Sequence, residues 1–176
     1  MIRVVAGLIE RDGRLLICQR RRGGMFELQW EFPGGKLRRG ETPRSGLARE
    51  LREELGVAAR IGAPMCRTRH RYREFRSAID IIFFHVREVS AVPRNLVFER
   101  MVWARPGDLR RYEFLAGDRE LVARLASKEL TVPGTSGAKA LSVPGVNVGA
   151  KAPTPWKTRP ASSGWSGRRP RRGPGL

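Results

Sequence analysis

Three glutamates, Glu50, Glu53 and Glu54, fall within five consecutive positions of a chain that carries 35 Lys and Arg against 17 Asp and Glu. At 100° per residue a helix gathers them into an arc of roughly 100°, while Leu47, Ala48, Leu51 and Leu55 take the adjacent arc. The leucines then face a core and the glutamates form one acidic stripe. Like charges three and four residues apart cost a few tenths of a kcal/mol per pair on a solvated helix, and more where a wall limits hydration. A divalent cation reverses that sign. Oxygen donors suit Mg²⁺ or Mn²⁺ rather than zinc, and a carbonyl in the Gly34-Gly35 turn adds one more because glycine lets the backbone come close. Mg²⁺ in turn favours phosphate ligands. The competing reading is a set of surface glutamates paired with Arg49 and Arg52.

The elements that must position this stripe are legible around it. "IRVVAGLIE" and "GRLLICQR", separated by "RDG", predict two strands joined by a hairpin-type turn. "TPRSGLARELREEL" predicts a helix with Thr42 as N-cap, Pro43 at its first position and Gly56 just past its end. Strand-like runs return in "VAARIGAPMCRT", "SAIDIIFFHV" and "ERMVWAR", and "AGDRELVARLAS" predicts a second helix. The expected class is α+β, a mixed sheet flanked by helices.

After residue 130 the composition turns to Pro, Gly, Ser, Ala and basic residues, so residues 131 to 176 are expected to form a disordered tail outside a domain of residues 1 to 130. Of the net charge of +18, the eight Lys and Arg of that segment, which has no acid, supply +8, leaving +10 spread over residues 1 to 130. The tail, with Trp156 and Trp165, is the candidate for a weak nucleic-acid contact. Cys18 and Cys66 sit singly in apolar runs, which excludes a disulfide framework or CxxC metal site and reads as buried thiols. "VVAGLI" is too short for a signal peptide core, and "AIDIIFFHV" carries Asp80 and His85. A cytoplasmic monomer without a membrane partner is expected.

Gly35, Glu41, Arg49-Glu50-Leu51, Glu53-Glu54 and Gly56-Val57 reproduce the pattern GX5EX7REUXEEXGU, with U aliphatic, and so resemble the Nudix box. The resemblance runs from about Ile2 to Leu125 and is nearest the MutT branch, with "WEFPGGKLRRGETP" before the helix and "VWARPGDLRRYEFLAGDRELVARL" at the close. It implies a Nudix fold and hydrolysis of a nucleoside triphosphate substrate to the monophosphate and pyrophosphate, with oxidised nucleotides such as 8-oxo-dGTP as expected substrates. CTP, dCTP or a broad range of dNTPs are the alternative within the class, and a catalytically idle nucleic-acid-binding domain the alternative outside it.

Carried over position by position, the resemblance gives Glu50, Glu53, Glu54 and the Gly34 carbonyl as holders of Mg²⁺. Arg49 orients a helix carboxylate, Glu41 braces the loop, and Glu53 is the base that deprotonates water. Glu99 is a further candidate ligand or base. Arg20, eleven residues before Glu31, is placed to contact the nucleotide, and Glu31, Phe32, Pro33 and Gly34 to line its entrance. Trp30 and Phe32 read either as stacking surfaces or as core, and His70 and His85 as solvated or satisfied. Asp118 departs from the Asn often found in this slot of mutation-avoiding members. An ionised carboxylate only accepts hydrogen bonds, so it repels O6 of 8-oxoguanine unless protonated, and it suits the amino group of cytosine. The other reading of Asp118 is an acid at a helix N-terminus.

Overall fold

The computed structural model describes residues 1–135. The expectations of a disordered tail and of nucleic-acid contact through Trp156, Trp165 and their basic neighbours lie outside the described residues. The chain runs β1 (Ile2–Leu8), β2 (Glu10–Arg11), β3 (Arg14–Gln19), β4 (Trp30–Glu31), β5 (Gly34–Lys36), α1 (Pro43–Leu55), β6 (Ala59–His70), β7 (Ile79–Val89), β8 (Arg100–Ala104) and α2 (Arg119–Ala126). Short 3₁₀ turns span Pro106–Arg111 and Ala116–Asp118.

The strands form two four-stranded sheets rather than one. The first has the order β5-β1-β7-β6, with β1 parallel to β7 and the other pairs antiparallel. In the second, β3 pairs with β2, β4 and β8, all antiparallel. The expected hairpin exists only in part. β2 and β3 turn through Asp12 and Gly13, both at positive φ, but the long apolar strand β1 leaves at Ile9 and joins the other sheet.

Both sheets carry buried apolar residues on both faces, which is why these strands read largely as apolar runs rather than alternating ones. Val5, Leu16, Cys18, Phe84 and Val86 pack with Leu47, Leu51 and Leu55 of α1, while Ala6, Leu15, Ile17, Ile81 and Phe83 pack toward α2 through Leu121 and Leu125. Each of the three α1 leucines is fully buried, worth about 1.5–3 kcal/mol apiece. Thr42 Oγ1 accepts the Ser45 N–H at 3.2 Å, and Gly56 closes the helix at φ 68°, as the sequence predicts. Cys18 and Cys66 are free, buried thiols.

Hydrogen bonds to the body of the fold continue past residue 130. Thr135 is buried; its N–H donates to the Glu10 carbonyl, and its hydroxyl donates to the Val86 carbonyl at 2.6 Å while accepting from the Glu10 N–H at 3.0 Å. These polar contacts give the 131–135 stretch a place on the domain that its composition does not advertise. Among the described residues no helix is long and apolar enough to cross a membrane.

Candidate active site

The Gly34-Gly35 turn is held between β1 and the acidic face of α1. A Cβ on Gly34, whose φ is 149°, would lie 2.1 Å from the Val5 carbonyl oxygen, and one on Gly35 would lie 2.6 Å from the Glu50 carboxyl carbon. Glycine is required at Gly34, where the clash is with backbone, whereas at Gly35 a methyl would displace the Glu50 carboxylate. Glu54 Oε2 accepts the Gly34 N–H at 2.9 Å. Burial first, then the charges of Glu31 and Glu50, push its carboxyl up to about 9.

Arg49 organises the outer half of the stripe. Its guanidinium bonds both Glu41 oxygens at 2.6 and 3.0 Å, the Lys36 carbonyl at 3.2 Å and Glu53 at 3.0 Å, and lies 2.9 Å from Glu50. Glu41 also accepts the Arg38 N–H at 2.8 Å, and these bonds, Arg49's first, lower its carboxyl to about 2. Glu53 is half-exposed and is shared between Arg49 and Arg38. Arg52 forms no ion pair among the described residues. Among those residues no group of three His, Cys, Asp or Glu side chains is arranged as a ready-made metal cage.

Beside this turn opens a cavity of about 320 Å³. It is lined by Gly34, Gly35 and Lys36, by the buried Asp118, Ile81 and Tyr72, and by the more exposed Met25, Phe26 and Phe75. Arg20 bonds both Glu31 oxygens at 3.0 and 2.9 Å and forms a wall of the cavity. Burial nevertheless raises the Glu31 carboxyl. Phe32 lines the cavity but packs on Phe83 and Phe114, and Trp30 stacks edge-on against Tyr112 at 4.9 Å as plain core. Pro33 shapes the turn through its carbonyl, which accepts the Gly7 N–H at 2.8 Å, and does not line the cavity. Glu99 lines no part of it either; its carboxylate lies 3.9 Å from Arg22.

Asp118 makes no side-chain cap bond to α2. It is 4% exposed, accepts the Phe32 N–H at 3.4 Å, and is pushed well above the usual aspartate range by burial and then by Glu31. Its position is set by Gly117, whose N–H donates to the Tyr72 hydroxyl at 2.8 Å and whose carbonyl accepts from the Thr68 hydroxyl at 2.7 Å. A Cβ on Gly117 would meet Ile81 at 2.6 Å. Tyr72, Phe26, Phe75 and Thr68 are site residues that sequence reasoning misses. Tyr72 and Phe75 are hidden in the arginine-rich "RHRYREF" stretch, and Thr68 looks like any strand threonine.

The described fold matches a family model, the NUDIX domain, over residues 4–124. The chain is 34% identical over 122 residues to the CTP pyrophosphohydrolase of Escherichia coli, covering 69% of this chain and 89% of that protein. It is 32% identical over 130 residues to a putative 8-oxo-dGTP diphosphatase 2 of Mycobacterium tuberculosis, covering 70% and 86%. Among solved structures, the E. coli ORF135 protein superimposes with a TM-score of 0.65 at 32% identity, covering 73% of this chain and 91% of that one. A MutT NUDIX hydrolase from Burkholderia pseudomallei does so with a TM-score of 0.63 at 25% identity, covering 69% and 95%.

Proposed function

The chain belongs to the Nudix family, and from that premise we propose that it hydrolyses nucleoside triphosphates to the monophosphate and pyrophosphate with Mg²⁺, or Mn²⁺ in its place, reading the base with Asp118. The observation that carries this reading is one cavity lined both by the buried Asp118 and by the glycine turn, which Glu54 and Glu50 back. A base fits the first and a polyphosphate the second.

The residues fit a hard divalent cation. Glu54 is a half-buried acid whose carboxylate accepts the Gly34 N–H, and the charges of Glu31 and Glu50 hold it in want of positive charge. Glu50, Glu53, Glu54 and the Gly34 carbonyl would hold the metal, with water and substrate phosphate completing a shell that the protein side chains alone do not close. When bound, the metal neutralises the polyphosphate and polarises the attacked phosphorus. Arg49, fixed by Glu41, keeps Glu50 and Glu53 in place. Glu53, at the half-exposed end of the stripe, takes the proton of the attacking water as its oxygen bonds to phosphorus and the bridging P–O bond breaks. Arg20 sits on the wall where it meets the nucleotide.

A neutral Asp118 offers one donor and one acceptor, the pair that meets O6 and N7–H of 8-oxoguanine. Burial, which raises the Asp118 carboxyl, favours that neutral form and so supports a contact with O6. The second reading, a cytosine nucleotide, is favoured by the similarity to the E. coli enzyme named for CTP. A panel of normal and oxidised nucleoside triphosphates with Mg²⁺, read by product identity and kcat/KM, separates them. Monophosphate and pyrophosphate with 8-oxo-dGTP foremost is the expected result; orthophosphate as the product, or no turnover of any triphosphate, defeats the proposal.

A further inference from the structure

Away from the cavity, the α1 side of the first sheet carries a row of arginines. Arg3, Asp80 and Arg69 are register partners across β1, β7 and β6, so at ordinary strand spacing Arg3 and Arg69 stand roughly 10 Å apart with Asp80 between them. Asp80 is buried, and Arg67 bonds both its oxygens at 2.8 and 2.6 Å. One negative charge thus faces three guanidinium groups, and Arg3 and Arg69 remain exposed.

Arg3 also lines a cleft of about 340 Å³ with Lys36, Arg38 and Arg39. The cleft's one acid, Glu41, is already held by Arg49 and the Arg38 N–H, and Arg38 reaches to Glu53. Among the described residues, Arg3, Lys36, Arg39 and Arg69 form no ion pair within 4.0 Å. Lys36 belongs to both the cleft and the nucleotide cavity, and its Nζ lies 5.8 Å over the half-buried ring of Phe75. A strip of cations without an ion pair therefore runs from Arg69 and Arg3 on the α1 face, past Arg39 in the shared cleft, and around the β5 edge to Lys36, whose register partner Val4 puts it on the cavity face.

We propose that this strip is a binding surface for single-stranded nucleic acid. Each exposed cation gains little from one solvated anion, so a mononucleotide, with its charges drawn into the cavity, has nothing to hold here. A chain with a phosphate at every residue meets several cations at once and releases counterions at each. Phe75 at the end of the strip gives an unpaired base a ring face, which a duplex cannot use.

The experiment measures binding of the full chain to a single-stranded 12-mer by fluorescence anisotropy across a salt series, beside the variant Arg3→Glu/Arg39→Glu/Arg69→Glu. Both proteins keep residues 136–176, so the basic residues there contribute equally. The variant is expected to lose at least tenfold in affinity at low salt, and the slope of log K against log salt to become shallower by about two. Its turnover of a free nucleoside triphosphate stays within about threefold, which shows that it is folded. Equal binding by the two proteins overturns the proposal. So does tighter binding of a duplex of the same length, or binding to anionic vesicles without binding to the oligonucleotide.

Discussion

Asp118→Asn exchanges a buried carboxyl for an amide of nearly the same shape, and its effect should depend on pH in a defined direction. Asp118 is enclosed, accepts one long hydrogen bond from the Phe32 N–H, and feels the charge of Glu31. Its native pKa is therefore raised, and below it both the wild-type acid and the amide present one donor and one acceptor. There the ratio of kcat/KM for 8-oxo-dGTP over dCTP should differ by less than about threefold between the two proteins. Above the raised pKa the wild-type carboxylate only accepts. O6 then loses its donor inside a closed pocket, a loss of roughly 1–3 kcal/mol, or about tenfold to a hundredfold, while the cytosine amino group still finds an acceptor. The assay is the ratio measured from about pH 5.5 to 10 in both proteins, each compared with the other so that ionisation of substrate and shared machinery cancels. Thermal unfolding supplies a second reading. A folded-state pKa above the unfolded one gives stability that is complete below the unfolded value and lost as pH rises toward the native one, so the Asn variant should gain about 1.4 kcal/mol over wild type per pH unit across that window. A ratio unchanged at every pH would refute the base-reading role and move attention to Arg20 and Phe32. A large difference already at low pH would refute the protonated state.

The other expectations follow from the acidic turn and the C-terminal strap. Glu53→Gln and Glu54→Gln should each lose two to three orders of magnitude in kcat in a Mg²⁺ assay with the fold intact. In chelator, Glu54→Gln should also melt above wild type, by a margin that grows with pH up to about 9, because the raised carboxyl destabilises the native state as it ionises. Glu41→Gln should lower kcat by releasing Arg49, and its stability deficit at neutral pH should vanish as acid titration passes from about 4.5 to about 2. Gly35→Ala should cost at least tenfold in kcat with little change in melting temperature, since the added methyl meets the Glu50 carboxylate rather than the core. A chain ended at 130 should melt several degrees below one ended at 136, because it loses the Thr135 bonds worth about 1 kcal/mol each.

Local chemistry made half of this protein readable. Thr42, Pro43 and Gly56 are cap residues whose effect is exerted within one turn, so α1 could be bounded to the residue, and its two stripes followed from angular spacing alone. Asp118 lay open between two readings because burial is a long-range property, set by Phe32, Glu31 and a cavity wall drawn from distant strands. The same holds for the cavity lining, where Tyr72 is recognisable only through the Gly117 N–H it accepts, 45 residues away. The strand runs were visible, but not their partners. Nothing in "VVAGLI" says that it pairs with a strand starting at Ile79 instead of with its neighbour. Thr135 is hidden for a related reason: three hydrogen bonds anchor it where no apolar period could signal order.

The departure of β1 from its neighbouring strand also sets a timetable for synthesis. The acidic helix rests on Val5, Phe84 and Val86, and β1 is bonded along its length to β7. At about 5–20 residues per second the ribosome has made Glu54 seconds before it makes Val89. In that interval the helix has its caps and the upstream Val5, Leu16 and Cys18 but lacks Phe84 and Val86, so its leucines are only partly covered. The helix carboxylates can be fixed in place only after the parallel strand, with its long loop to close, has left the exit tunnel, which makes folding of this enzyme slower than its short helix would suggest. Until then part of the leucine stripe beneath those carboxylates stays exposed.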